Sequence, residues 1–371
     1  MPLLYLSFLL FLVSCSKEPV TEAKGGRAEH FSVDSFNGYR VLSIKEAWNG
    51  DTEKHRWLLL DSAFGTAELP DSLRNLPQIK IPVKKAVVLS TTAIAFMERL
   101  SVLGRVAAVE NRNLIYSEKM QHLIDSLSVK EVGSGNSLDL ETIMVLQPDV
   151  VFTFGTGSSV YDDYPRLKTA GIPAILIAEW MESHPLARFE WLKFFGILFG
   201  KEKDADSIFT EISEKYNLLA GLAHNAEKKP PVLTGYPQGS EWFAGGGNSY
   251  FAKFLRDAGA QYIWENTAKT GLLTLNIEDA LQSGSQAEFW LHPSLWTSKA
   301  EILQNEPRMN MLPLWQNGKI YQSSKRIGKN GSRDFYESAA AYPDLVLADL
   351  IFIFHPEILP QHKFVYYESL K

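Results

Sequence analysis

Aromatic, hydroxyl and cationic side chains gather where this chain leaves its short apolar runs. Ser90, Thr91 and Thr92 follow the run at 86–89, and Glu179 and Trp180 follow the run at 172–177. Tyr236 follows 231–235, with Trp242 and Phe243 in the next loop; His292 and Trp296 follow 288–291. Arg326, Lys329, Arg333 and Tyr336 fill the stretch after 319–322. Ring faces offer stacking and a large apolar area. Guanidinium groups match carboxylates, catecholates and hydroxamates in a fork geometry. Such a set suits reversible capture of a large, planar or chelated anion, with Thr91, Thr92, Trp180, Tyr236, Trp242, Trp296, Arg333 and Tyr336 as candidate contacts. Each aromatic taken singly also fits a core position, Trp191, Trp264, Trp290 and Trp315 most of all. Arg333 fits a surface ion pair with Asp334 or Glu337 equally well.

Bond-making chemistry lacks its residues. The chain has no G-x-S-x-G elbow and no H-E-x-x-H. The Gly-Lys pairs at 200, 318 and 328 are followed by Glu, Ile and Asn, which is no phosphate loop. Gly245-Gly246-Gly247 lacks dinucleotide spacing. The eight His are scattered. His184 and His292 are the pair that could meet in a cleft, and capping or ordinary polar roles suit them better, so neither a metal site nor a cofactor is expected. A net charge of −6 argues against a nucleic-acid partner.

The elements that carry these residues alternate. Apolar runs at 86–90, 106–109, 149–154 and 172–177 read as buried strands, and 93–100, 140–146 and 164–170 as helices. Alternation of this kind implies an α/β fold with parallel sheets covered on both faces. A second unit repeats it, with strands at 231–236, 289–292 and 319–322 and helices at 250–258, 277–281, 299–305 and 342–354. Between the units, 186–199 is apolar and aromatic, and Ile208, Ile212, Tyr216, Leu219 and Ala223 form one stripe of a long helix over 204–224. Before them, 39–44 and 55–61 read as a hairpin with Asn49-Gly50-Asp51 in its turn.

The two units share a short pattern. Leu138-Asp139-Leu140-Glu141 precedes the strand at 149–154, and Leu275-Asn276-Ile277-Glu278 precedes the strand at 288–291. Glu141 and Glu278 each open a helix, where the dipole favours a carboxylate.

The amino terminus carries an apolar run from Leu3 to Val13, too short to span a bilayer and suited to a secretory signal. Leu12-Val13-Ser14-Cys15 resembles the lipobox of bacterial lipoproteins, which implies cleavage before Cys15 and acylation of its thiol, although no Lys or Arg stands near Met1. Cys15 is the chain's one cysteine. The organisation expected is a signal peptide over 1–14, a lipidated tether over 15–30, a first lobe with a β-rich addition over 31–185, linking helices over 186–226 and a second lobe over 227–371.

From about residue 85 onward the sequence resembles the periplasmic-binding proteins for iron-siderophores, haem and cobalamin. The resemblance rests on SLDLETIMVLQPDVVFTFG at 137–155, the helix at 204–224 and YPDLVLADLIFIFHPEIL at 342–359. It implies two similar α/β lobes joined by one rigid helix. It implies an envelope protein that hands a metal chelate to an ABC importer, with Glu141 and Glu278 meeting arginines of the two permease subunits. Residues 31–80 are not part of the usual family core. Cobalamin or haem remain alternative ligands, as do two other roles: an enzyme acting on a metal chelate, and a lipoprotein holding a partner protein.

Overall fold

The computed structural model describes residues 27–371 apart from 63–68, 127, 135–136, 159 and 318. The chain begins with a four-stranded sheet, β1 (Phe31–Ser35), β2 (Tyr39–Lys45), β3 (Lys54–Asp61) and β4 (Gln78–Ile81), in that order across the sheet. The hairpin expected around Asn49 is the antiparallel β2–β3 pair, and β4 joins β3 in parallel. Tertiary contacts fasten this sheet to the body. Trp57 is buried and donates its indole N–H to the Ala174 carbonyl at 2.7 Å.

The first lobe follows as β5 (Ala86–Val88), α1 (Thr91–Arg99), β6 (Val106–Val109), α2 (Glu118–Asp125), β7 (Lys130–Glu131), β8 (Gly133–Ser134), β9 (Ser137–Leu138), α3 (Leu140–Leu146), β10 (Val150–Thr153), α4 (Tyr164–Thr169) and β11 (Ala174–Leu176). Its sheet runs β11-β10-β5-β6-β7, all parallel, with β8 and β9 as a separate ladder. Strand β10 is buried at every position, as a strand covered on both faces must be.

Two helices lead away from it. In α5 (Pro185–Phe199) the residues are apolar nearly all round, and the helix is correspondingly buried. His184 caps it by accepting the Leu186 N–H, and Gly200, at φ 65, ends it in the left-handed conformation that glycine adopts without strain. Helix α6 (Glu202–His224) has 23 residues, a length of roughly 35 Å at 1.5 Å per residue. Its apolar stripe packs as expected, with Ile212, Tyr216 and Ala223 buried and Ile208 and Leu219 against the same core.

The second lobe comprises β12 (Pro231–Thr234), β13 (Tyr236–Gln238), β14 (Glu241–Gly245), α7 (Tyr250–Asp257), β15 (Gln261–Tyr262), β16 (Leu272–Asn276), α8 (Ile277–Gly284), β17 (Phe289–Leu291), α9 (Lys299–Asn305), α10 (Leu314–Asn317), β18 (Ile320–Gln322), α11 (Asp334–Ser338), α12 (Pro343–Phe354) and β19 (Glu368–Ser369). Its main sheet runs β15-β12-β17-β18-β19, parallel except for β19 at the edge. A smaller antiparallel sheet, β13-β14-β16, stands beside it. Among the described residues no helix is long and apolar enough to cross a membrane.

Two expectations are corrected here. The tether was expected to run to residue 30, yet residues 27–30 are docked. The N–H groups of Arg27 and Ala28 donate to Glu190, and those of Glu29 and His30 to Glu182. Trp242 and Phe243 were expected in a loop and instead lie in β14. The residues expected to form the signal peptide, the expected lipidation site Cys15 and the expected tether as far as residue 26 lie outside the described residues.

Candidate ligand-binding cleft

The carboxyl ends of both parallel sheets open onto one cleft between the lobes. Its first half, of 740 Å³, is bounded by the ends of β5 and β6, the loop after β10, and the segment 331–336 from the second lobe. Its second half, of 900 Å³, is bounded by β13, β14, the start of α7, residues 270–272 and 292–296. Trp180, Arg188, Leu295 and Tyr336 line both halves, so the two are continuous.

The sequence-based candidates mostly converge there. Thr91, Thr92 and Arg333 line the first half, Tyr236 and Trp296 the second, and Trp180 and Tyr336 both. Trp242 does not. It is fully buried and donates its indole N–H to the Thr234 carbonyl at 2.9 Å, packed against Trp264 and Trp290. Side chains alternate along a strand, so its neighbour Phe243 faces the cleft instead. Arg333 donates to the Leu295 carbonyl. The ion pair considered for it is made by another residue, since Arg326 holds Asp334 at 2.9 Å.

Sequence reasoning missed Arg188 of α5. Its guanidinium donates to Glu179 at 3.2 Å and lies over the Tyr250 ring, 4.4 Å from the centroid. Burial alone would lower its pKa, but Tyr250 and Glu179 outweigh that and hold the cation firmly charged. The available signal was a lone guanidinium in the first turns of a largely apolar helix.

Three features of the cleft call for a ligand. Among the described residues, Trp180 Nε1, Arg188 Nε and Arg333 Nη1 are buried N–H groups without a hydrogen-bond partner, and all three side chains line the cleft. Leaving such donors unpaired costs roughly 1–3 kcal/mol each. Large apolar side chains also stand exposed on its walls: Leu114 55%, Phe154 41%, Leu272 53%, Leu295 58% and Tyr336 51%. The walls themselves are held in shape. Asp162 accepts the N–H groups of Thr156 and Gly157, which fixes the loop after β10. Across the lobes, Glu337 accepts the N–H groups of Tyr116 and Ser117 at 2.6 and 3.0 Å, and Asn330 donates to the carbonyls of Arg112 and Ile115.

His184 and His292 do not meet. His184 serves as the cap of α5, and His292, pushed down to about 3 by burial, sits against Phe251, Phe335 and Tyr367. Among the described residues no three His, Cys, Asp or Glu side chains are grouped to hold a metal ion.

Glu141 and Glu278 occupy equivalent places. Each is the second residue of its helix, α3 or α8, behind a capping Asp139 or Asn276, and both are exposed. Exposed Met144 and Val145 lie one turn beyond Glu141.

The sequence profile of the periplasmic binding protein family matches residues 87–327, more than half of the chain. The chain belongs to that family. Periplasmic binding proteins of this kind deliver solutes to ABC importers and do not transform them, which sets aside the enzyme reading. An uncharacterized lipoprotein of Methanocaldococcus jannaschii is 25% identical over 299 residues, which is 78% of this chain and 69% of the relative. A periplasmic heme-binding protein of Pseudomonas aeruginosa superposes with a TM-score of 0.55 at 16% identity, covering 78% of this chain and 98% of that one. The triscatecholate siderophore-binding protein FeuA of Bacillus subtilis, complexed with ferri-bacillibactin, gives 0.56 at 14% identity, covering 77% and 98%. At these identities the solved structures share the fold of this periplasmic binding protein, with its two lobes and parallel sheets.

Proposed function

We propose that this periplasmic binding protein captures an anionic iron chelate of the siderophore class and presents it to an ABC permease. The observation that carries the reading is the set of unpartnered donors, Trp180 Nε1, Arg188 Nε and Arg333 Nη1, among exposed apolar walls. Charged acceptors on a ligand would satisfy the donors, and its hydrophobic body would cover Phe154, Leu295 and Tyr336. The halves of 740 and 900 Å³ suit a ligand of several hundred cubic ångströms. Haem and cobalamin are the alternative ligands. Haem brings two carboxylates to the arginines, whereas cobalamin brings mostly neutral amides.

Thr91, Thr92, Trp180, Tyr236, Trp296, Arg333 and Tyr336 are the contacts this reading assigns, with Arg188 and Phe243 added. Glu141 and Glu278 would meet the permease. Cys15 would carry the lipid, anchoring the protein in the cell envelope. Thermal-shift and absorbance titrations against ferric tris-catecholates, ferric hydroxamates, haemin and cyanocobalamin test the ligand. A stabilisation saturating with a ferric siderophore is expected. Saturation by cyanocobalamin or haemin alone would replace the siderophore with that ligand.

A further inference from the structure

The β2–β3 connection, residues 46–53, is a built loop and not a simple turn. The Asp51 carboxylate accepts the N–H groups of Ala47 and Glu53 at 2.9 and 3.0 Å and contacts His55 Nε2 at 2.9 Å, while its own N–H donates to the Trp48 carbonyl. The Asp51 and His55 side chains are almost fully buried. The tip thus fixed presents Trp48 and Asn49 to different lobes.

Trp48 lies flush on the loop after β10. A methyl group added at Gly155 would come within 2.4 Å of its ring, and one at Gly157 within 2.8 Å. The same loop carries Phe154 and Thr156 into the cleft. Asn49 reaches the second lobe, where a methyl group at Gly271 would lie 2.1 Å from its Nδ2. Gly271 stands between Thr270 and Leu272, and all three line the other half of the cleft. One loop of a sheet that belongs to neither parallel sheet therefore touches a cleft wall on each lobe.

We propose that residues 46–53 form a strap that sets the width of the cleft between the 155–157 and 270–272 walls. The linking helix resists bending, and Glu337 and Asn330 already tie the lobes at residues 112–117. A further tie at a different pair of walls, 155–157 and 270–272, restricts the rocking that those contacts leave open. Trp48 is the anchored end, with its ring spread over two glycines, and Asn49 is the releasable end, one exposed polar side chain against Gly271. Both are positioning residues. The inference does not depend on which ligand the cleft takes.

The test reads lobe separation directly. In the full chain with Cys15→Ser no thiol remains, so nitroxide labels attach only at two introduced cysteines, Val145→Cys on the first lobe and Met311→Cys on the second. Both sites are exposed, by 79% and 72%. Pulsed dipolar spectroscopy should give one narrow distance distribution for this parent. Asn49→Gly should shift its mean beyond the parent's width or broaden it, with the thermal midpoint unchanged. Gly271→Ala attacks the same contact from the other lobe by displacing the flexible end of Asn49, and should do likewise. Distributions identical to the parent in both variants, or a parent already as broad as the variants, would overturn the strap.

Discussion

Arg188 stacks on Tyr250, 4.4 Å from guanidinium carbon to ring centroid, so a helix that leaves the first lobe is joined to a helix of the second at the floor of the cleft. The same guanidinium keeps a free Nε–H in the lining that also holds the unpartnered indole N–H of Trp180. It is placed both to hold the lobes and to sense what lies between them. Arg188→Met should therefore weaken an anionic ligand by roughly 2–3 kcal/mol. It should also lower the unfolding midpoint, because Glu179 loses its buried partner. Calorimetry and chemical denaturation measure the two losses separately. A variant with unchanged affinity removes Arg188 from the site.

Arg333 differs in having a carbonyl as its partner and no part in the interlobe stack. Arg333→Ala should cost about 1–3 kcal/mol of affinity for an anionic chelate and little stability. Isothermal titration with the chelate found by screening checks this, and equal loss for a neutral ligand would show that charge is not its contribution.

Ligand binding should change the lobe geometry only slightly. Helix α6 is continuous over 23 residues, and Glu337 and Asn330 tie the lobes at the 112–117 end. Solution scattering with and without ligand should give nearly superimposable curves. A closure by tens of degrees, as in hinge-type binding proteins, contradicts the expectation.

Glu337 gives the interlobe contact a pH dependence. Burial pushes its carboxyl up to about 7, against the two backbone N–H groups that favour the charge, and Asp334 and Glu98 add like-charge repulsion. The folded form then binds this proton more tightly than the unfolded chain. Its contribution to stability is complete below about pH 4.5 and declines as pH rises through 7, by roughly 3 kcal/mol in all. His292, held near 3 by burial and Arg333, acts in the opposite sense as pH falls from 6.5. A comparison with Glu337→Gln cancels that term. The stability of the parent minus that of the variant should fall between pH 4.5 and 8, as read from urea midpoints. A constant difference would show that Glu337 does not titrate in this range.

The paired acids make a prediction at the membrane. Replacing Glu141 and Glu278 together with Arg should abolish uptake and permease binding and leave ligand affinity intact, since both lie at exposed helix starts away from the cleft lining. Complementary charge sets orientation and encounter rate more than it holds the fold. Transport that survives the double change, or ligand binding lost in proportion, would end the idea.

What could be read from sequence was local. The strand runs and the stripe on α6 are periodic, and Asp139-Leu140-Glu141 and Asn276-Ile277-Glu278 place cap and carboxylate by spacing alone. Trp242 and Phe243 show where this fails. A loop lets both neighbours face a ligand, whereas β14 sends one to the core and one to the cleft, and its pairing with β13 and β16 reveals the strand. Arg188 takes its meaning from Glu179 and Tyr250, and Trp48 and Asn49 from glycines at 155, 157 and 271. Contacts between segments so distant leave no period in the sequence to detect.

The docking of residues 27–30 settles where a pull on the chain upstream would be felt. Four main-chain N–H groups in a row are clasped by Glu190 of α5 and by Glu182 just before it, and Glu182 is braced by the Trp191 indole at 2.9 Å. The Phe31 ring then packs on Trp191 and Phe194 of the same helix. Tension would enter through a row of charged hydrogen bonds loaded together, at the most deeply buried helix between the lobes. The β1 edge is shielded from being peeled away strand by strand, so a pull from upstream would leave the shape of the cleft unchanged.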